Sequence, residues 1–87
     1  MKTIYKYPLK TTDQQTITMH VGAEILKLKD QHGTPCLWVK LDTSNAVGDR
    51  TFLTFGTGHV LPENEMDYIG SYHLHNSELV FHVFEIL

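Results

Sequence analysis

The clearest structural signal in this chain lies in residues 68–86, which read YIGSYHLHNSELVFHVFEI. Residues 68–75 and 78–86 alternate apolar with polar side chains, and this alternation indicates two β-strands. Asn76 and Ser77 between them predict a two-residue hairpin loop, which would fix the register of the pair. The predicted cross-strand pairs are His75 with Glu78, His73 with Val80, Ser71 with His82, and Ile69 with Phe84.

Similar alternation recurs along the rest of the chain, in short runs rich in Ile, Val, Thr, Tyr and Phe between turn residues. No long run keeps the apolar spacing of a helix. The predicted strands are residues 3–9, 14–19, 24–29, 35–41, 50–55, 68–75 and 78–86. We therefore predict an all-β fold for residues 1–87, a single small antiparallel barrel or sandwich of about seven strands in mostly meander order.

The size of the chain, 87 residues, leaves room for one domain with a modest core. Cys36 is the only cysteine, so no disulfide can form within one chain, and a lone thiol is typical of a reducing cytoplasm. The sequence has neither the apolar segment of a signal peptide nor an apolar run long enough to span a membrane. These features predict a soluble intracellular protein, and a small core would gain from assembly into a homo-oligomer.

Charge is distributed unevenly along the chain, because all seven Lys and Arg residues lie within residues 1–50 and give that part a net charge of +2. Residues 51–87 carry five carboxylates, four of the six histidines and a net charge of −5. A surface formed by this acidic part would suit a basic partner, and histidine protonation near about pH 6 would weaken its field. The cations are dispersed along the sequence, which makes binding to a nucleic-acid backbone an unfavoured function.

The predicted hairpin has two chemically different faces. Tyr72, Leu74, Leu79, Phe81 and Val83 share one face and are predicted to enter the core. The opposite face carries His73, His75, Glu78 and His82, surrounded by Ile69, Val80 and Phe84. Three imidazoles and a carboxylate at cross-strand spacing could bind zinc or nickel. Apolar groups mixed with histidine favour a subunit or partner interface instead, a solvated face is the third alternative, and no cofactor is predicted.

The segment Gly56-Thr57-Gly58-His59 follows a predicted strand and has two interpretations. Two glycines one residue apart allow a bound ligand to approach the backbone, whose N–H groups could hold an anion with help from His59. The alternative is a bulge or tight corner in the sheet. The third glycine and the helix of a dinucleotide fingerprint are missing, as is the Gly-Lys-Ser/Thr of a phosphate loop.

The segment around Trp38 also alternates. Leu37, Val39 and Leu41 are predicted to face the core, which places Trp38 on the other side of the strand with Cys36 and Lys40. Cys36 is interpreted as a buried apolar residue. For Trp38, a core position and an exposed position in an interface or a base-stacking site both remain open.

Several short motifs together resemble a family of small uncharacterised proteins encoded by tailed bacteriophages. The resemblance extends over nearly the whole chain and lies in residues 2–7, 13–17, 35–38, 55–59, 68–70 and 79–85. It implies a phage accessory protein made in the cytoplasm of the bacterial host, and it brings no catalytic residues with it. Accessory proteins of this size frequently neutralise a host defence.

We therefore expect a non-enzymatic counter-defence inhibitor that binds a host immune protein or sequesters a nucleotide-derived signal. Occlusion of a protein would use the acidic part of the chain. Sequestration would use Trp38, the 56–59 segment and the histidines around a pocket between subunits. Two alternatives are a metal-binding module or metal-dependent enzyme that uses His73, His75 and His82, and a minor structural protein of the virion.

Overall fold

A computed structural model describes residues 1–74 and 78–87 and contains seven β-strands. Each strand corresponds to one of the predicted strands, with ends shifted by a few residues. Their bounds are β1 Lys2–Pro8, β2 Gln14–His20, β3 Glu24–Gln31, β4 Thr34–Asp42, β5 Val47–Gly56, β6 Met66–His73 and β7 Val80–Ile86. The all-β prediction is therefore confirmed.

The strands form two antiparallel sheets, a three-stranded sheet in the order β1-β4-β3 and a four-stranded sheet in the order β2-β5-β7-β6. The sheets do not close into a barrel, so the architecture is a sandwich. The predicted meander order is wrong, because only β3 with β4 and β6 with β7 are neighbours both along the chain and within a sheet. Alternation identifies a strand but carries no information about which strand lies beside it.

The β6–β7 hairpin keeps the predicted register at its loop end, where His73 lies opposite Val80 and Ser71 opposite His82. A β-bulge between Tyr68 and Gly70 then shifts the register, so that Phe84 faces Tyr68. The predicted pairing of Ile69 with Phe84 is therefore wrong.

Because of the same bulge, Ile69 packs against the core rather than on the histidine side. The predicted pairing of His75 with Glu78 and the Asn76–Ser77 loop lie outside the described residues.

One apolar cluster fills the space between the two sheets. Phe52, Leu37, Val39 and Val83 are completely inaccessible to solvent. The cluster comprises Leu9, Met19, Ala23, Leu37, Val39, Leu41, Phe52, Tyr72 and Val83. The core face predicted for β7 is correct at Val83, but the predicted core residue Leu79 is 62% exposed, because β7 begins only at Val80.

An ion pair sits at the margin of this core. Arg50 of β5 donates from Nε to Glu85 Oε2 of β7 at 2.5 Å and from Nη2 to Oε1 at 2.7 Å. Its Nη1 also donates to the carbonyl oxygen of Ala23 at 2.6 Å, just before β3 begins. The hydrogen bond to Glu85 raises the pKa of Arg50. The guanidinium therefore joins the two sheets, and Glu85 contributes little to the charge of the surface.

We predict that Glu85→Gln lowers the free energy of unfolding by about 1–3 kcal/mol, because it leaves the half-buried Arg50 without its anion. Urea unfolding measures this difference. Glu63→Gln makes the same chemical change on an exposed loop residue and should cost less than about 0.5 kcal/mol. The double variant Arg50→Leu/Glu85→Leu removes both charges and should recover much of the loss. Equal effects of Glu85→Gln and Glu63→Gln would contradict this assignment.

The edge strands β3 and β6 approach closely on one side of the sandwich. A Cβ atom built on Gly70 would lie 3.2 Å from Leu28 Cβ and 3.3 Å from Leu28 Cδ2. Leu28 Cβ is fixed by its own strand and has little freedom to move away. Glycine at position 70 is therefore what lets the two strands meet.

We predict that Gly70→Ala lowers the free energy of unfolding by about 1–2 kcal/mol through this overpacking. Gly48→Ala is the matched control, because a Cβ there would lie 3.7 Å from Val21 Cγ2, an ordinary contact. We expect the control to be neutral or slightly stabilising, since alanine restricts the unfolded chain more than glycine does. Thermal unfolding of the two variants side by side decides the matter, and a control as unstable as Gly70→Ala would refute the packing argument.

Candidate functional site

The outer surface of the four-stranded sheet presents a continuous apolar area. Strand register places Leu53 of β5, Phe84 of β7 and Tyr68 of β6 in one row across three strands. The ring of Phe84 lies 5.3 Å from that of Tyr68 and 5.9 Å from that of Phe55, both with edge-to-face geometry. Tyr68 is 58% exposed although it belongs to this row. We call this surface the aromatic face, formed by Leu53, Phe55, Met66, Tyr68, Phe84 and Ile86.

The outer surface of the four-stranded sheet, formed by the outward-pointing residues of β2, β5, β6 and β7 in the described part of the chain, carries carboxylates but no Lys or Arg. Asp49 points outward on β5 and accepts a hydrogen bond from the Thr18 hydroxyl at 2.6 Å. Glu63 and Glu65 are exposed on the connection that leads into β6. The uneven distribution of charge along the sequence therefore corresponds to an uneven distribution of charge over the surface of the protein.

The 56–59 segment forms a tight corner at the end of β5. His59 N donates to Gly56 O at 3.1 Å, and Gly58 has φ of 90°, a conformation that favours glycine. Gly56 N donates to His59 Nδ1 at 3.2 Å, and Thr57 N donates to Val80 O at 3.3 Å. Because the N–H groups of Gly56, Thr57 and His59 are all engaged in internal hydrogen bonds, the geometry favours a sheet corner over an anion-binding nest.

The corner contacts the histidine side of the last hairpin. The Thr57 hydroxyl lies 2.8 Å from His82 Nε2. His82 and Phe84 are two residues apart on β7 and point to the same side of the sheet, so the corner borders the aromatic face. His73 lies on the same side of β6, opposite Val80. The structure therefore brings most of the site residues predicted from the second half of the sequence to one surface.

The predicted metal ligands do not form a described site. In the part of the chain that the structure describes, no three His, Cys, Asp or Glu side chains are grouped as they would be around a metal ion. His75 lies outside that part, and Glu78 is exposed to solvent. The geometry of His73 and His82 therefore gives metal binding no specific support.

Trp38 lies on the opposite side of the molecule, on the outer surface of the three-stranded sheet. Leu37, Val39 and Leu41 point into the core as predicted, so Trp38 points outward and is half-buried. Cys36 is only 2% exposed and has a free thiol, which confirms its interpretation as a buried apolar residue.

Several lysines surround Trp38, a grouping that the sequence alone did not predict. Strand register places Lys6 of β1 and Lys27 of β3 directly on either side of Trp38, and Lys27 Nζ lies 5.5 Å from the centre of its ring. We call this outer surface the lysine face, formed by Trp38 and Lys2, Lys6, Lys27, Lys29 and Lys40. The alternation within each strand already placed its lysines on the side away from the core. Only the strand order shows that the lysines of three strands lie together.

Asp42 is one of two carboxylates at the border of the lysine face. The backbone N–H of Ser44 donates to Asp42 Oδ1 at 2.9 Å, and the amino group of Met1 donates to the same atom at 3.0 Å. These bonds, the backbone N–H first, lower the pKa of Asp42 to about 2. Asp42 is therefore anionic at neutral pH and subtracts from the positive charge at this end of the face.

No helix in residues 1–74 and 78–87 is long and apolar enough to cross a membrane.

Comparison with known proteins identifies the family of this chain. No curated protein and no solved structure matches the sequence. The sequence model of a family described as a domain of unknown function, DUF7352, matches residues 1–86. Since this match covers nearly the whole chain, the protein belongs to the DUF7352 family.

Proposed function

We propose that the protein is a non-enzymatic binding protein that docks its aromatic face onto a host protein and occludes it. The row Leu53–Phe84–Tyr68 on the outer face of the four-stranded sheet is the observation that carries this proposal. Aromatic side chains on an exposed sheet are favourable contact residues, since they bury a large area at a small cost in conformational entropy. A solvated sheet face would more commonly present polar side chains at these positions.

The chemistry around the aromatic face indicates what kind of partner fits. Asp49 lies on the same sheet surface, and Glu63 and Glu65 lie beside the start of β6. A partner with an apolar patch bordered by Lys or Arg would be attracted by these carboxylates and held by the aromatic rings. The acids would chiefly raise the association rate, while the rings would slow dissociation.

The biological setting is proposed from the sequence resemblance to small proteins of tailed bacteriophages. In that setting the chain is an accessory protein made in the cytoplasm of the infected bacterium, and its target is a component of a host defence system. Occlusion needs no catalytic group, which suits a surface built from apolar rings and a corner held by its own hydrogen bonds.

We predict that the protein restores phage plating on bacteria that carry one particular defence system, and that Tyr68→Ala lowers this rescue by about tenfold or more. Tyr68 is 58% exposed, so its removal should leave the fold intact. Tyr5→Ala is the matched control, since Tyr5 is a 43% exposed tyrosine on β1, away from the aromatic face. Plating efficiency on a panel of strains with single defence systems provides the measurement.

Two results would overturn this proposal. One is the absence of rescue in every strain of the panel although the protein accumulates in folded form. The other is rescue that survives Tyr68→Ala and is lost in Tyr5→Ala. A second copy of the chain is the alternative occupant of the aromatic face, because a small core gains stability from assembly. Light scattering that shows a dimer for the wild type and a monomer for Tyr68→Ala would assign the face to self-association.

A further inference from the structure

We propose that the lysine face binds a single-stranded nucleic acid, with one base stacked on Trp38 and lysines in contact with the neighbouring phosphates. This surface lies on the three-stranded sheet, on the opposite side of the sandwich from the aromatic face. The inference is therefore independent of the proposed function.

The first support is a concentration of positive charge on one surface, formed by lysines that lie far apart in the sequence. The outward residues of β1, β4 and β3 include five lysines against the two carboxylates Glu24 and Asp42, a net charge of +3. The whole chain has a net charge of −3. Lysines from three strands thus gather on one surface of an acidic protein, which creates a local field suited to a polyanion.

The second support is the position of the aromatic ring within this charge. Lys6, Trp38 and Lys27 form a row across three adjacent strands, whose spacing is about 4.8 Å. Lys40 lies two residues beyond Trp38 on β4, and Lys29 lies two residues beyond Lys27 on β3, each about 6.8 Å along its strand and on the same surface. Because β3 and β4 are antiparallel, the two lysines lie on opposite sides of the row. The ring is therefore bordered by ammonium groups both across and along the strands, as in surfaces that combine base stacking with phosphate contacts.

The lysines nearest the ring already have defined positions. Lys6 Nζ donates to Gln31 Oε1 at 2.6 Å, a bond that crosses the sheet from β1 to β3. Lys27 Nζ lies 5.5 Å from the centre of the Trp38 ring in a cation–π contact. A base that stacks on Trp38 would displace the Lys27 ammonium, which could then contact the phosphate of the same nucleotide.

A single strand fits this surface better than a duplex or an acidic peptide. In a duplex the faces of the bases are stacked on one another and cannot reach a ring on a flat sheet. An acidic peptide would pair with the lysines but would leave Trp38 without a flat partner. Ile4 is 56% exposed on the same surface and adds an apolar contact for a second base.

Trp38 is the only tryptophan in the chain, so its fluorescence reports stacking directly. We predict that a twelve-nucleotide oligothymidylate quenches this fluorescence with a saturable curve at low salt. With about three phosphates contacted, the logarithm of the association constant should fall against the logarithm of salt concentration with a slope of about −2. Lys27→Glu should weaken binding by about tenfold or more, measured by the anisotropy of labelled oligothymidylate.

The controls separate a nucleic-acid site from general attraction of anions. Lys10→Glu makes the same change in net charge at a cation outside the lysine face and should leave binding within about twofold. Tyr68→Ala should also leave it unchanged. Inorganic polyphosphate should not quench Trp38, and thymidine monophosphate should bind much more weakly than the oligomer. Quenching by polyphosphate, equal effects of Lys27→Glu and Lys10→Glu, or binding of the monophosphate as tight as the oligomer would each overturn the proposal.

Discussion

The structure depends on the burial of alternate residues of central strands from both sheets in one shared core. Leu37 and Val39 of β4 meet Phe52 of β5 and Val83 of β7 in the same cluster, and none of the four is accessible to solvent. Because the side-chain period of a strand is two residues, burying these groups forces their chain neighbours outward. Trp38 and Phe84 therefore lie on the two outer surfaces as a consequence of how the core is filled.

The core is small, and a polar contact completes it. Arg50 binds Glu85 within the four-stranded sheet and the carbonyl of Ala23 at the start of the other sheet. A buried charge is costly unless it is paired and its donors are satisfied, and both conditions hold here. The pair also removes Glu85 from the surface, which is why counting the charges of residues 51–87 overstates the acidity of the outer face.

The sequence was sufficient for the strands and for much of their orientation, since alternation is a local property. It correctly separated Leu37, Val39 and Leu41 from Trp38, and it placed His73 opposite Val80. The strand order was not predictable in this way, because which strands pair is decided by contacts between residues far apart in the chain. The bulge at Ile69 was missed for a related reason, since it accompanies the approach of Gly70 to Leu28 on another strand. The lysine face required the same long-range information.

The net charge of the whole chain is a poor guide to what each surface attracts. The lysine face and the aromatic face lie on the outer surfaces of different sheets, and even the shortest dimension of the molecule is 16 Å. That distance is still about twice the Debye length of about 8 Å at physiological ionic strength. A ligand at one surface therefore responds mainly to the charges beside it. An acidic protein can accordingly present a cationic surface to a polyanion on one side while the carboxylates on its other side attract a basic protein.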